Sequence, residues 1–377
     1  MQISRRQSLK GLTLATALAL GGSFANAQVS NPGSGQDFRV DKVFTSTNSP
    51  QGNEVLVYGR GADGQPTALL ARVGTQGTGS GGALLNQGGV TLSGDGKWLF
   101  VINYLSSTVS TFAVEAGGLS LKSVVRSGEG FPLSVTESGD VVYVLNENPE
   151  GSLQGFRNQN GQLARIEQTF RQLSSGSGGS IPTQVNFSPD GRVLIANSRR
   201  FNTVFSYRVN AEGVTDALLV ALAQAPGGHV FDRLGRLLMT ETFSNAPRQG
   251  AVSFFRFNPS DPARPVLVGA SVGNNQTGTA RIDVAPNGRN AYTTNTASNT
   301  ISRYAIRSGR LVLARAVAAN TGAAPTDLAV APTGRSLWVL NSGSQTLSAF
   351  AIDPDGRLTL SGEAVGLPFG TNGLAAN

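Results

Sequence analysis

The sequence predicts an all-β protein: a seven-bladed β-propeller of four-stranded antiparallel blades, closed by a C-terminal strand that completes the N-terminal blade. Three observations predict it. A Gly turn followed by a short apolar run ending in Asn recurs at spacings of 43, 52, 44, 53 and 46 residues. Repeats of that length, each carrying several β-rich runs, are the signature of propeller blades. No segment after residue 27 carries a strong 3.6-residue apolar period, so helix is a minor component.

The turn glycines are Gly96, Gly139, Gly191, Gly235, Gly288 and Gly334. The runs that follow are Lys97–Asn103, Asp140–Asn146, Arg192–Asn197, Arg236–Glu241, Arg289–Asn295 and Arg335–Asn341. A seventh copy, Lys42–Asn48, lacks the preceding turn. Each run is apolar on successive positions, as a strand packed on both faces requires. A β-rich run comes next, as at Ser107–Val114, Asn299–Ile306 and Gln345–Ile352. A further strand follows a Gly turn, as at Gly356–Leu360, and a short strand precedes each main turn, as at Thr183–Phe187 and Thr326–Val330. That makes four strands per repeat. The first copy has no leading strand of its own, and Leu367–Ala376 resembles one, so the two ends are expected to share a blade. Six or eight blades remain open if a long loop hides or mimics a strand. The stretches 74–89 and 174–180, rich in Gly and Ser, read as blade-connecting loops, since neither ends in the Gly-Lys-Ser/Thr of a phosphate cradle. Five repeated Asn residues (Asn103, Asn146, Asn197, Asn295 and Asn341) read as strand-ending residues that bond their own turn.

Residues 1–27 read as a targeting segment: Arg5, Arg6 and Lys10, then a mostly apolar stretch too short to span a membrane, then the small-x-small site Ala25-Asn26-Ala27. Ser4–Lys10 resembles the twin-arginine export signal, with Ser8 where that pattern usually has Phe, and the ordinary secretory route stays open. Residues 28–40 are expected to be a loose leader, and 41–377 the propeller. The expected location is periplasmic or secreted. The 377 residues carry a formal charge of +7, and removing the three basic residues of the first 27 leaves +4. The remaining Arg residues are scattered, which argues against nucleic acid as a partner. There is no Cys, which excludes disulfides, thiolate metal sites and a Cys nucleophile.

Ligands of a propeller sit in or over its central channel, lined by the strand before each turn. The polar residues of those strands include Ser134, Gln184, Asn186, His229, Arg281, Asp283, Asp327 and Asn372. The connections after the apolar runs add Tyr104, Glu147, Arg199 and Arg200. His229 is the sole histidine and follows Gly227-Gly228, which allow a close backbone approach. Its imidazole suits a general base, or alternatively a polar wall group. Glu241 stands where the other runs have Asn, and reads as a catalytic carboxylate or a solvated turn residue. Arg281 suits oxyanion stabilisation; with Asp283 and Asp327 it could instead form an inter-blade ion pair. No metal constellation is evident: Asp353-Pro354-Asp355-Gly356 begins like a calcium loop but lacks the later ligands. No cofactor is expected, and one His restricts any Ser-His-Asp arrangement.

The pattern of Ser188-Pro189-Asp190-Gly191-Arg192, apolar run and Asn, then Asn202-Thr203-Val204, then Asp355-Gly356-Arg357-Leu358-Thr359, resembles the lactonase-type seven-bladed β-propellers, the family of bacterial 6-phosphogluconolactonase and carboxymuconate-cyclising enzymes. Leu99–Tyr104 looks like the family's second-blade motif, and Gly366–Ala376 is similar to the closing segment of a secreted branch. The resemblance covers residues 40–377 and implies His, Arg and Glu near the channel. The family's Gly-Pro-Arg-His segment meets Pro226-Gly227-Gly228-His229, with the Pro-Arg pair lost, and its Asn-Glu pair meets Thr240-Glu241 only across a two-residue deletion. Two functions follow as expectations. One is an exported hydrolase of a sugar or other small lactone, with His229 or Glu241 activating water and Arg281 steadying the oxyanion. The other is a non-catalytic propeller that binds a small-molecule ligand or an envelope protein, with Arg199 and Arg200 at its mouth. The expected state is a monomer without a membrane span.

Overall fold

The computed structural model describes residues 37–377 apart from 60–66, 149, 174–179, 215–216, 222 and 259–260. Residues 1–27, read above as a targeting segment, residues 28–36 of the expected leader and most of the second Gly/Ser stretch therefore lie outside the described residues.

Seven antiparallel sheets form seven blades. Blade 1 runs from its innermost strand outward as Asn372–Ala376, Lys42–Ser46, Glu54–Gly59 and Ala68–Gly74. The innermost strands of blades 2 to 7 are Val90–Leu92, Pro132–Ser138, Pro182–Phe187, Pro226–Phe231, Thr279–Val284 and Pro325–Val330. The ends of the chain do share a blade: Val43 pairs with Ala376 and Phe44 with Ala375. Blades 3, 4 and 5 each add a short fifth strand at the outer side. Among the described residues the only helical pieces are two 3₁₀ turns, Arg200–Asn202 and Phe243–Asn245.

The core lies between blades rather than inside them. Successive side chains of a middle strand point to opposite neighbours. Leu99 and Val101 pack toward blade 1 with Phe44 and Val57, while Phe100 and Ile102 pack toward blade 3 with Val142 and Val144. Seven apolar clusters fill the seven interfaces so formed. Each buried aliphatic or aromatic side chain contributes about 1.5–3 kcal/mol, which is how a chain without disulfides holds a ring of this size.

The turns have a local cause. In blade 4 the Ser188 hydroxyl and the Arg192 amide both donate to Asp190 Oδ1, at 2.6 and 3.1 Å, and Gly191 takes φ +69°. The loop after Gly74 joins blade 1 to blade 2 as expected. The leader differs from expectation within residues 37–40. Phe38 is wholly buried in the blade 1–2 cluster, and its amide donates to the Ala116 carbonyl. An aromatic with an apolar slot to fill is tied down rather than loose.

Candidate functional site

The innermost strands present their edges, not their side chains, to the axis. Their side chains alternate between the two neighbouring blades, and one set of polar residues is spent on fastening those edges together. The Ser134 hydroxyl of blade 3 accepts from the Val185 amide of blade 4 (3.2 Å). Gln184 of blade 4 accepts from the His229 amide of blade 5 (2.6 Å). Asp327 of blade 7 takes the Leu328 amide at 2.9 Å and lies against that of Leu374 in blade 1. One level lower, Thr136 donates to Asn186 Oδ1 (3.2 Å) and Asp283 accepts from the Val330 amide (2.8 Å).

Among the described residues the fasteners of this upper ring come from blades 3, 4 and 7. In blade 1 Asn372 Nδ2 has no partner, blade 2 has Gly89 in the slot, and blades 5 and 6 depart from the pattern as well. Blade 5 has Gly228 in the slot, and a Cβ there would lie 2.0 Å from Gln87 Oε1. Gln87 reaches across the channel instead, donating to the Ile282 carbonyl (3.0 Å) and accepting from the Ile282 amide (3.4 Å). The close approach permitted by Gly227 and Gly228 is thus to Gln87 and to the backbone of blade 6 at Ala280 and Arg281. Blade 6 has Arg281, a cation that cannot accept an amide proton and so cannot serve as a fastener.

The segment Asn86–Gly88, read from the sequence only as loop, closes the channel. Asn86 donates to the Leu133 carbonyl of blade 3 and accepts from Arg281 Nε at 2.7 Å. The Gln87 amide donates to Thr183 of blade 4 (3.1 Å), and the Gly88 carbonyl accepts from Val135 (2.8 Å). Gly88 in the sequence was the available sign, since its slot crowds Ser134 Oγ. Beneath this plug lies a cup of about 340 Å³ lined by Thr91, Thr136, Gln184, Asn186 and Asp283 among apolar residues.

Arg281 and Asp327 stand at the same level on adjacent innermost strands, and both are buried. Burial pulls the Arg281 guanidinium down to about 10, Arg199 beside it adds to the effect, and Asp327 opposes it. Burial raises the Asp327 carboxyl to about 7 against the pull of Arg281. Among the described residues the Arg281 hydrogen bonds go to backbone carbonyls, of Asn86 and Ala280, and Asp327 Oδ2 has no hydrogen-bond partner. The expected ion pair across these blades is therefore not what holds them. Asp283 is raised to about 6 by burial, with both oxygens occupied by the amides of Val284 and Val330. Arg199 is half-buried at the mouth, its amide donating to the Ile181 carbonyl (3.0 Å), and burial lowers its guanidinium. Arg200 is exposed in the following turn.

The expected trio of His229, Glu241 and Arg281 does not come together. The His229 side chain shares the side of its strand that carries Phe231 into the blade 4–5 cluster, next to Ile195. It is 0% exposed, neither ring nitrogen has a hydrogen bond within the described residues, and burial pulls its imidazole down to about 3. A ring sealed between blades cannot take a proton from substrate water. Glu241 is buried and accepts from the hydroxyls of Ser253 and Ser271 (2.8 Å for the latter). Asn341 and Asn295 bond Ser348 and Ser302 from the same slot. Glu241 therefore does the job of the repeated Asn and is neither solvated nor free. Tyr104 and Glu147 do meet: the phenol donates to the carboxylate at 2.5 Å, beside Phe131, whose ring centroid is 5.1 Å from that of Tyr104. Among the described residues no cluster of His, Asp and Glu could hold a metal, and no helix is long and apolar enough to cross a membrane.

Residues 248–371 match the family described as Lactonase, 7-bladed beta-propeller. No curated protein matches the chain. Solved structures share its ring. A protein from Lactobacillus plantarum is 17% identical with a TM-score of 0.71, over 89% of this chain and 99% of that one. The periplasmic gluconolactonase of Pseudomonas aeruginosa is 20% identical with a TM-score of 0.68, over 88% and 98%. A protein of Bacteroides fragilis proposed to be a 6-phosphogluconolactonase is 19% identical with a TM-score of 0.66, over 89% and 97%. The chain is thus a seven-bladed β-propeller, a ring closed by its own C-terminal strand, whose last blades match the lactonase family.

Proposed function

We propose that this protein is exported and hydrolyses a small lactone at the channel mouth, with Arg281 and Asp327 as the catalytic pair. The observation that carries this reading is the break in the ring of fasteners at Arg281. A guanidinium there accepts no amide from the next blade, holds the Asn86 carbonyl of the plug, and lies beside a carboxyl that burial raises to about 7, a value suited to a general base near neutral pH. The targeting reading of residues 1–27 supports export, as does a periplasmic gluconolactonase among the proteins of like fold.

In this reading ionised Asp327 takes a proton from water, and the water oxygen bonds to the lactone carbonyl carbon. Arg281 donates to the oxyanion so formed, in a site that burial makes poor in water. The tetrahedral centre collapses with cleavage of the ring C–O bond. The departing alkoxide recovers the proton from Asp327, and the hydroxy acid releases its carboxyl proton to solvent. Arg199 attracts the carboxylate or other oxygens of the ligand.

The test is a panel of sugar and aliphatic lactones offered to the mature protein. Arg281→Ala is expected to lower kcat by about 10²–10³-fold and Asp327→Asn by about 10²–10⁴-fold. His229→Gln and Glu241→Gln are expected to retain turnover. Loss of turnover in the latter two, with Arg281→Ala unaffected, would return the chemistry to the trio read from the sequence. Ligand binding without turnover would favour the binding function, which the occupied carboxylates Asp283 and Glu241 also suit.

A further inference from the structure

Exposed apolar residues lie close in the chain to the groups that hold Asn86, Arg199 and Arg281. Leu85, exposed, immediately precedes Asn86, the partner of Arg281 Nε. Phe131, 41% exposed, stands two residues before Leu133, the partner of the Asn86 amide. Ile181, exposed, accepts from the Arg199 amide. Phe369, 68% exposed, lies on the connection that leads into the closing strand. Apolar side chains scattered singly on a surface mean little, but backbone links tie Leu85, Phe131 and Ile181 to the one group of Asn86, Arg281 and Arg199.

Phe131 is held there at a cost. It precedes the proline of its innermost strand with φ +56°. The same slot in blades 5, 6 and 7 holds Ala225, Gly278 and Ala324, at φ +47°, +69° and +50°. Small residues tolerate that left-handed backbone better than a bulky one does, and strain kept at a cleft points to use of the side chain. The ring is also braced. Tyr104 packs on it at 5.1 Å, Tyr104 is anchored to Glu147, and the Glu147 amide donates to the Phe131 carbonyl at 2.8 Å. A rigid aromatic offers contact area with little ordering cost.

We infer that the mouth takes a lactone bearing an apolar substituent, its ring carbonyl on Arg281 and its tail on a ledge made by Phe131, Leu85 and Ile181. The inference rests on the reading of the mouth as a lactone site, and it names the substrate class. An aldonolactone, hydroxylated all round, would leave this ledge uncovered.

Two series separate the ledge from the chemistry. The first is hydrolysis of γ-lactones whose side chain grows from none to six carbons, with gluconolactone as the polar comparison. The second is calorimetric titration with straight-chain carboxylates of four to ten carbons, which requires no turnover. Affinity and kcat/KM are expected to rise by up to about fourfold per methylene until the ledge is covered, the value of burying one CH₂. Phe131→Ala puts the residue of blades 5 and 7 into the same backbone slot, so the fold is expected to survive. It should cut the long-to-short selectivity at least tenfold, and Phe131→Leu should restore part of it. Hydrolysis or binding that ignores chain length, or that favours gluconolactone, overturns the ledge and leaves the lactone reading standing. Chain-length-dependent binding with no hydrolysis of any lactone overturns the catalytic reading and keeps the ledge.

Discussion

His229 and the aspartates of the innermost strands titrate in opposite senses. His229 is pulled from 6.5 to about 3, so the unfolded chain holds the extra proton and His229 costs stability as pH falls from 6.5 toward 3. Asp327 and Asp283 are raised from 3.8 to about 7 and about 6, so the folded chain holds the extra protons and stability falls as pH rises from 4 through those values. Between pH 4 and 6 the balance is one proton against His229, or a decline of about 1.4 kcal/mol per pH unit. Urea titrations at stepped pH are expected to show that decline. Asp327→Asn should flatten it and His229→Gln should steepen it; two parallel curves would refute the assignment. The proposed hydrolysis is expected to have the opposite dependence on Asp327, its rate rising with pH through about 7 as the carboxyl ionises. Glu241 was legible as a break in the Asn pattern, but its role was not, because Ser253 and Ser271 come from strands whose register a linear pattern does not reveal. Glu241→Gln keeps an acceptor for both hydroxyls and should cost under about 1 kcal/mol. Glu241→Ala leaves the buried Ser253 hydroxyl with only the half-buried Ser271 hydroxyl at 3.0 Å and should cost about 1–3 kcal/mol in the same assay.

Within an element, the question that mattered was which way an innermost strand stands. The period of two in Pro182–Phe187 and Thr279–Val284 was readable, but no phase of it would have pointed residues into the channel. The strands turn an edge to the axis, and Gln184, Asp283 and Asp327 reach sideways to the next blade. The plug was hidden for a related reason: Asn86–Gly88 belongs to no strand, and its partners come from blades 3, 4 and 6. Gly228→Ala tests it. The new methyl would sit 2.0 Å from Gln87 Oε1 and would displace that side chain from Ile282. The expected cost is about 1–3 kcal/mol, the range for unpaired buried amides, with faster exchange of the Ile282 amide. Unchanged protection of that amide would mean that Gln87 is not what closes the channel.

Across the whole molecule, seven repeats and the shared first blade were legible because closure leaves a plain sign: a second strand at Lys42 with no first strand before it, and a spare first strand at the far end. Deleting residues 367–377 would uncover Phe44 and Val43 and open the blade 7–1 interface, where Leu367 and Leu374 are buried. The deletion is expected to abolish cooperative thermal unfolding rather than lower its midpoint by a few degrees, as circular dichroism would show. The fastening bond from the Lys42 amide to Asn377 joins residues 335 apart in sequence. Forming that contact means closing a loop nearly as long as the chain, a penalty that grows only with the logarithm of length but falls late on the folding path. Until then the edge of Lys42–Ser46 is an unpaired template for any passing strand. Such a protein has reason to be kept from crowded company while the ring is open.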